Sequence, residues 1–141
     1  MNLYAESSAV LSWLLAENSS GPVLPLLSNA DLVIASDLTL IECDRVLIRA
    51  TTTKRIPEAQ VSDRRALLAR VSEHWTLFRV DSEIVARARQ PFPQEPIRTL
   101  DAIHLATAIV ARNLVPEIQL LTLDDRLRIC GAQLGFEILP H

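Results

Sequence analysis

The sequence is poor in the residues on which several common kinds of functional site depend. Among 141 residues it has three glycines, two cysteines and a single lysine. Cys43 and Cys130 are too few and too far apart for a disulfide framework or a zinc site, and we expect both to be reduced and buried. Three scattered glycines cannot form a phosphate-binding fingerprint, which argues against a nucleotide-binding oxidoreductase. The one lysine, Lys54, follows a predicted helix, whereas a phosphoryl-acceptor domain would need a lysine at a strand end.

Long apolar runs and a basic N-terminal region are also missing. Acidic residues interrupt the N-terminal half of the chain, so that no run is long enough to span a bilayer. Without a basic N-terminal region a signal peptide is not expected, and we expect a cytoplasmic protein with no membrane partner. The net charge of −3 gives no overall attraction to nucleic acid. Nearly all the basic residues are arginine, however, and its planar fork suits bidentate phosphate recognition.

Apolar residues are abundant, and their spacing predicts an α/β protein. Hydrophobic residues make up 49% of the chain, which favours one globular domain over residues 1–141. Strands are predicted at 2–5, 32–35, 76–80, 118–122 and 137–139. Helices are predicted between them, after Ser7 or Ser8 and at 22–29, 39–52, 57–74, 82–89 and 99–111, with a last helix after residue 124 and a turn at 18–21. This alternation predicts a three-layer α/β/α sandwich with a central, mainly parallel sheet.

The segment 97–110 is predicted to be a buried helix that carries one charge. Thr99 can serve as its N-cap, which places Asp101 in the first turn, where the helix dipole favours an anion. The residues that follow are apolar almost all round, so the helix should be central. A carboxylate entering such a helix costs free energy unless a cation, a donor or a metal meets it. The simpler interpretation is that Asp101 only stabilises the start of the helix.

Four carboxylates are predicted where an open α/β sheet places its chemistry, beyond the carboxyl ends of the strands. Glu6 follows the first strand and Asp124 follows the strand at 118–122, whereas Glu42 and Asp101 fall in the first turns of helices. Clustered carboxylates repel one another unless cations neutralise them. Mg²⁺ or Mn²⁺ is the usual solution, because both ions take carboxylate and water oxygens. Two such ions can activate water in phosphodiester cleavage.

Simpler interpretations stand beside these. Glu42 has capping-box spacing from Thr39, and Asp124 or Asp125 can cap the last helix. The hydroxyls of Ser8 and Thr122 are explained as caps or turn residues. Two histidines, His74 and His104, have no partner histidine at metal-binding spacing and are predicted to be packed or on the surface.

Four short motifs nevertheless occur in a fixed order along the chain. The first is a strand followed by an acidic residue and two hydroxyl residues, at 3–11 around Glu6. The second is Thr-x-x-Glu, ending at Glu42. The third is Asp-Ala-Ile-His-Leu-Ala at 101–106, and the fourth is Thr-x-Asp-x-Arg-Leu at 122–127, which favours Asp124 over Asp125. Together they resemble the PIN-domain family over essentially the whole chain, in particular the VapC-type toxin ribonucleases of toxin–antitoxin modules.

The resemblance implies an endoribonuclease that depends on Mg²⁺ or Mn²⁺, is usually a homodimer and is held inactive by a cognate antitoxin. Glu6, Asp101 and Asp124 would hold the metal, and Glu42 would be a fourth member or a base that orients water. The hydroxyls that would fix the carboxylates in orientation are those of Ser8 and Thr122.

One residue departs from the family pattern. The first acidic position is usually aspartate, whereas this chain has Glu6, whose side chain is one methylene longer. The metal position or affinity could shift as a result. The alternative function is therefore a PIN fold with weakened catalysis that serves as a binding or scaffold protein.

We predict contacts with RNA and with an antitoxin on two other surfaces. Arg45 and Arg49 lie at i+3 and i+7 from Glu42, on one side of the predicted helix. We expect them to contact RNA phosphates, although a solvated helix face is the simpler interpretation. An antitoxin helix could lie in an apolar groove of the N-terminal region, although ordinary core packing explains most of its members, which are Trp13, Leu14, Leu24 and Leu27.

The arginine hypothesis makes a quantitative prediction. Replacing Arg45 and Arg49 together with alanine should weaken RNA binding and flatten its dependence on salt, because fewer counterions are released. For two lost phosphate contacts the slope of log K against log salt should fall by about 1.4 to 1.8. Binding of a labelled RNA, measured by fluorescence anisotropy over a salt series, checks this. An unchanged slope would remove the hypothesis.

Overall fold

The fold is built on a parallel sheet. A computed structural model describes residues 1–17 and 21–141, and within these ranges it contains five strands in the order β3-β2-β1-β4-β5. All four strand pairings are parallel. The strands are β1 (Asn2–Ala5), β2 (Leu32–Ser36), β3 (Thr76–Phe78), β4 (Ile118–Leu121) and β5 (Ile138–Leu139). The predicted sheet is confirmed, and it is parallel throughout the part described.

Helices cover both faces of the sheet. They are α1 (Ser7–Leu14), α2 (Val23–Asn29), α3 (Asp37–Thr52), α4 (Glu58–Ser72), α5 (Ser82–Ala88), α6 (Thr99–Leu114) and α7 (Asp125–Gln133). On one face Tyr4 packs into a core with α5, α6 and α7, and on the other face Leu3 and Ala5 pack against α1 to α4. Because it is covered twice, β1 is apolar at every buried position. The three-layer α/β/α arrangement is therefore confirmed.

The strand order fixes where a site can form. From β1 the chain continues to β2 on one side, whereas β4 pairs with the other side of β1. This reversal leaves a crevice beyond the carboxyl ends of β1 and β4, the usual location of a site in an open parallel sheet. The loops that leave these two ends carry Glu6 and Asp124.

The predicted start of α3 is wrong. The helix begins at Asp37, and its N-cap is Ser36, whose hydroxyl accepts a hydrogen bond from the backbone N–H of Leu38 (3.1 Å). Thr39 therefore lies inside the first turn and forms no capping box with Glu42, which lies one turn further along. The hydroxyl of Thr39 is buried and has no hydrogen-bond partner among the described residues. Ser36 is favoured because it is the last residue of β2 and therefore has the extended backbone of an N-cap.

Two other predicted caps also differ. α1 is capped by the carboxylate of Glu6 rather than by Ser7 or Ser8. α6 begins at Thr99, so that Arg98 occupies the N-cap position and makes no side-chain hydrogen bond there. Most other boundaries agree within two residues. Of the turn predicted at 18–21, residues 18–20 lie outside the described residues.

Two further expectations concern the cysteines and the membrane. Cys43 and Cys130 are both free and buried, as predicted. Within residues 1–17 and 21–141, no helix has the length and apolar character needed to cross a membrane.

The observed cap of α3 predicts how two neighbouring substitutions differ. Ser36→Ala removes the capping hydroxyl and should lower the free energy of unfolding by about 1 kcal/mol. Thr39→Val removes a buried hydroxyl without a partner and should be neutral or stabilising. Urea unfolding of both variants measures the difference. If Thr39 were the N-cap, Thr39→Val would be the destabilised variant and Ser36→Ala would unfold like wild type.

Candidate functional site

Glu6 is held at the end of β1 by donors from two loops. Its side chain is buried, and its Oε2 accepts hydrogen bonds from the backbone N–H of Ser8 (3.0 Å), the Ser8 hydroxyl and the Thr122 hydroxyl (2.7 Å). No described residue donates to its other oxygen, Oε1. Glu6 therefore has one oxygen fixed by the protein and one that remains available.

The two hydroxyls that hold Glu6 also accept hydrogen bonds from the loop between β4 and α7. Leu123 donates its backbone N–H to Ser8 Oγ (2.9 Å), and Asp124 donates its backbone N–H to Thr122 Oγ1 (3.2 Å). Each hydroxyl has one proton, and each donates it to Glu6. Ser8 and Thr122 thus lie where the sequence predicted them, in contact with the first carboxylate, and they join the two loops of the crevice.

Asp124 and Asp101 approach this region from two helices. Asp124 is the N-cap of α7, and its Oδ1 accepts the backbone N–H of Leu127 (3.0 Å). Asp101 is half-buried in the first turn of α6. Burial raises the pKa of Asp101, and the nearby carboxylates of Asp124, Glu6 and Glu42 raise it further, while His104 lowers it. The predicted acidic residues therefore repel one another at this position.

An open pocket of about 340 Å³ lies in front of two of these carboxylates. Asp101, Asp124 and Asp125 line it, together with Arg98 and Arg126. Neither arginine forms an ion pair with a described residue. The sequence reasoning missed both arginines, although Arg126 belongs to the fourth motif and Arg98 directly precedes α6.

Glu42 is held by a different set of donors. Its Oε1 accepts hydrogen bonds from Ser7 Oγ (2.8 Å) and His104 Nε2 (2.5 Å). Burial tends to raise the pKa of Glu42. The hydrogen bond from His104, the positive charge that His104 carries when protonated and the hydrogen bond from Ser7 together lower it. Glu42 is therefore ionised at neutral pH. His104 is buried, and His74 is exposed, as predicted, but His104 also contacts a predicted site residue.

The site residues suit a hard divalent cation by their donor chemistry. Glu6 Oε1, the second oxygen of Asp124 and the carboxylate of Asp101 accept no hydrogen bond from any described residue, and carboxylate oxygens are the ligands that Mg²⁺ and Mn²⁺ prefer. As they stand, no three acidic, histidine or cysteine side chains within the described ranges are close enough to surround an ion.

Arg45 and Arg49 lie outside the acidic pocket. Both are exposed on α3, where they line a separate open pocket of about 380 Å³ with Val46, Ile48 and Thr52. None of the four predicted carboxylates lines that pocket. Asp101 and Asp124 line the smaller, acidic pocket, which is therefore the candidate site.

Comparison with known proteins gives consistent matches over nearly the whole chain. The family model described as PIN domain matches residues 3–131. Ribonuclease VapC35 of Mycobacterium tuberculosis is 31% identical over 139 residues, which is 97% of this chain and 95% of the relative. Ribonuclease VapC46 of the same species is 34% identical over 137 residues, with the same coverage of 97% and 95%.

Solved structures show the same fold at lower identity. Mycobacterium tuberculosis VapC20, described as a sarcin-ricin loop cleaving toxin, superposes with a TM-score of 0.66 at 18% identity and covers 95% of both chains. A chain of FitAB bound to a DNA fragment gives a TM-score of 0.68 at 15% identity, covering 100% of this chain and 99% of that one. VapBC2 of Rickettsia felis, also bound to DNA, gives 0.64 at 11% identity, with 98% and 97% covered.

The raised pKa of Asp101 predicts its effect on stability. A carboxyl whose pKa is raised by folding stabilises the protein below its ordinary value of 3.8, and this contribution is lost as the pH rises through the folded-state pKa. In metal-free protein at neutral pH, Asp101→Asn should therefore raise the melting temperature by a few degrees. The gain over wild type should shrink as the pH is lowered toward 3.8.

Thermal unfolding in EDTA over a pH series measures this difference. Asp63→Asn, which removes an exposed carboxylate on α4, is the matched control and should change little. A destabilised Asp101→Asn variant would mean that Asp101 is needed mainly to start the helix.

Proposed function

The chain belongs to the PIN-domain family and, within it, to the VapC-type proteins, and from this we propose that it is a metal-dependent endoribonuclease. It hydrolyses RNA phosphodiester bonds and is the toxin of a toxin–antitoxin pair. The observation that carries the proposal is the pocket that Asp101 and Asp124 line together, with Glu6 near enough to raise the pKa of Asp101. The relatives named ribonuclease support the substrate class.

In this proposal Glu6, Asp101 and Asp124 hold Mg²⁺ or Mn²⁺. The ion would supply positive charge that makes water a nucleophile and stabilises the charge that develops on the scissile phosphate. Glu6 presents one oxygen while Ser8 and Thr122 fix the other. The longer side chain of Glu6 is held by these two hydroxyls, which supports metal binding in spite of the departure from aspartate.

Glu42 acts as the base that orients the attacking water. Its lowered pKa keeps the carboxylate ionised at neutral pH, so that it can accept a hydrogen bond from the attacking water and hold that water in place. Its Oε2 accepts no hydrogen bond from a described residue, which leaves one oxygen for the water. His104 and Ser7 fix the other oxygen.

RNA reaches an acidic pocket only if nearby cations offset the repulsion between carboxylates and phosphates. Arg98 and Arg126 line the pocket and are free of ion pairs with described residues, so they are placed to contact the phosphates next to the scissile bond. Arg45 and Arg49 would then contact the RNA further along its backbone, on the exposed face of α3.

An antitoxin partner and a homodimer complete the proposal. The antitoxin is supported by fold neighbours, among them VapBC2 of Rickettsia felis and a chain described as a toxin–antitoxin complex from Klebsiella pneumoniae. Of the residues suggested for a groove, Leu14 is buried in the core, whereas Leu24 is 47% exposed. Trp13 and Leu27 are partly buried, so at most these two and Leu24 could contact a partner helix.

Cleavage of a mixed pool of structured RNA tests the function. Wild-type protein should cleave with Mg²⁺ or Mn²⁺ and should stop when EDTA is added. Asp101→Asn should reduce cleavage to background because a ligand charge is lost, although the variant is expected to be more stable without metal. Asp63→Asn serves as the control and should cleave like wild type.

The opposite outcome points to another function. If wild type neither cleaves RNA nor binds Mg²⁺ or Mn²⁺ by calorimetry, the chain is a PIN fold that works as a scaffold. Glu6→Asp would then be made first, since restored metal binding would identify Glu6 as the cause.

A further inference from the structure

A buried cluster of polar side chains surrounds one oxygen of Glu42. Nε2 of His104 lies 2.5 Å from Glu42 Oε1 and 3.1 Å from Ser7 Oγ, while Nδ1 lies 2.9 Å from the hydroxyl of Tyr4. Ser7 Oγ also donates to Glu42 Oε1 (2.8 Å). His104 is 1% exposed and Tyr4 is 0% exposed. Both nitrogens of the imidazole are therefore engaged away from solvent.

The cluster joins both helical layers to the central strand. Tyr4 belongs to β1, Ser7 begins α1, Glu42 lies in α3 and His104 lies in α6. α1 and α3 cover one face of the sheet and α6 covers the other. The Glu42 carboxylate is thus connected to β1 through His104 and Tyr4, and to the start of α1 through Ser7.

The hydrogen atoms of the cluster can be assigned from chemistry. The Glu42 carboxylate only accepts, so Nε2 of His104 carries a hydrogen in either protonation state of the ring. Burial raises the pKa of Tyr4, and the nearby Glu6 carboxylate raises it further, so the phenol keeps its proton. Tyr4 can then donate to Nδ1 of a neutral ring, which selects the tautomer that presents Nε2–H to Glu42. Ser7 donates to the same oxygen.

The same carboxylate has a second oxygen that is left free. Oε2 of Glu42 accepts no hydrogen bond from a residue in the described ranges, and the Glu42 side chain is 25% exposed. Two donors on Oε1 and none on Oε2 fix the plane and the direction of the carboxylate while leaving one oxygen for a ligand.

We propose that His104 is a positioning residue that, with Tyr4 and Ser7, orients the Glu42 carboxylate toward the attacking water. The inference rests on the proposed ribonuclease function and adds the residues that hold its base, Glu42, in place. His104 does not touch RNA, because it is buried, and it acts only through Glu42. Outer partners that orient a functional carboxylate in this way are commonly worth about 10- to 100-fold in activity.

Variants of His104 and Ser7 separate positioning from packing. His104→Leu removes the donor and should lower kcat by about 10- to 100-fold with KM for RNA unchanged. His104→Gln retains an N–H donor and should recover part of this loss. Ser7→Ala should give a smaller loss of kcat. Its matched control is Ser12→Ala, because Ser12 is equally buried on α1 but bonds only to the backbone carbonyl of Ala9 (2.7 Å).

A second measurement does not depend on activity. In metal-free protein with ¹⁵N-labelled histidine, the Nε2-bound proton of His104 should give a slowly exchanging resonance that disappears in His104→Gln. This resonance should shift in Glu42→Gln and Ser7→Ala and stay unchanged in Ser12→Ala. A resonance that is insensitive to Glu42→Gln would overturn the proposal.

The outcomes for the two proposals are distinguishable. If His104→Leu and Ser7→Ala cleave RNA like wild type while Asp101→Asn is inactive, the function stands and the positioning role is wrong. If His104→Leu does not fold, Ser7→Ala and Tyr4→Phe decide the question by kcat and by the resonance. If wild type itself does not cleave, the proposed function fails, and the resonance still tests whether His104 holds Glu42.

Discussion

Repulsion among carboxylates at one end of an apolar sheet is the constraint on which the rest of this site depends. Asp101 lies half-buried where the charges of Asp124, Glu6 and Glu42 all disfavour its ionised form. Folding tolerates this arrangement because the strands beneath are well packed and the acidic side chains are distributed over separate elements. If a cation binds here as proposed, it would relieve this repulsion, and stability and ion binding would be linked through the same residues.

The chain meets this constraint by fixing its two glutamates from different directions. Glu6 is held by hydroxyls that also bind the loop after β4, and Glu42 is held by an imidazole and a hydroxyl that connect to β1. In both cases one carboxylate oxygen is saturated by protein donors while the other is left open. The two aspartates lie on the opposite side, at the starts of α6 and α7, where the helix dipole favours negative charge.

Sequence patterns predicted the layers of the fold more reliably than the helix starts and the contacts around the candidate site. The apolar strands and the alternation with helices were sufficient for the parallel sheet, because burial on both faces leaves a clear signal. Helix starts were less predictable. Thr39 and Ser36 both suit an N-cap by residue type, and only the exit of the chain from β2 decides between them. The contact between His104 and Glu42 joins residues 62 positions apart, so that no local pattern contains it. Arg98 and Arg126 each lie close in sequence to a pocket aspartate, but they share one pocket only because the starts of α6 and α7 lie side by side.

The three hydrogen bonds on Glu6 bear on the cost of having glutamate at this position. Glutamate has one more rotatable bond than aspartate, and ordering it when an ion binds would ordinarily lose conformational entropy. Here the Oε2 oxygen is held by hydrogen bonds from Ser8 and Thr122. The loss of rotamer freedom is therefore incurred when the protein folds, and Glu6 would be preorganised for the proposed ion.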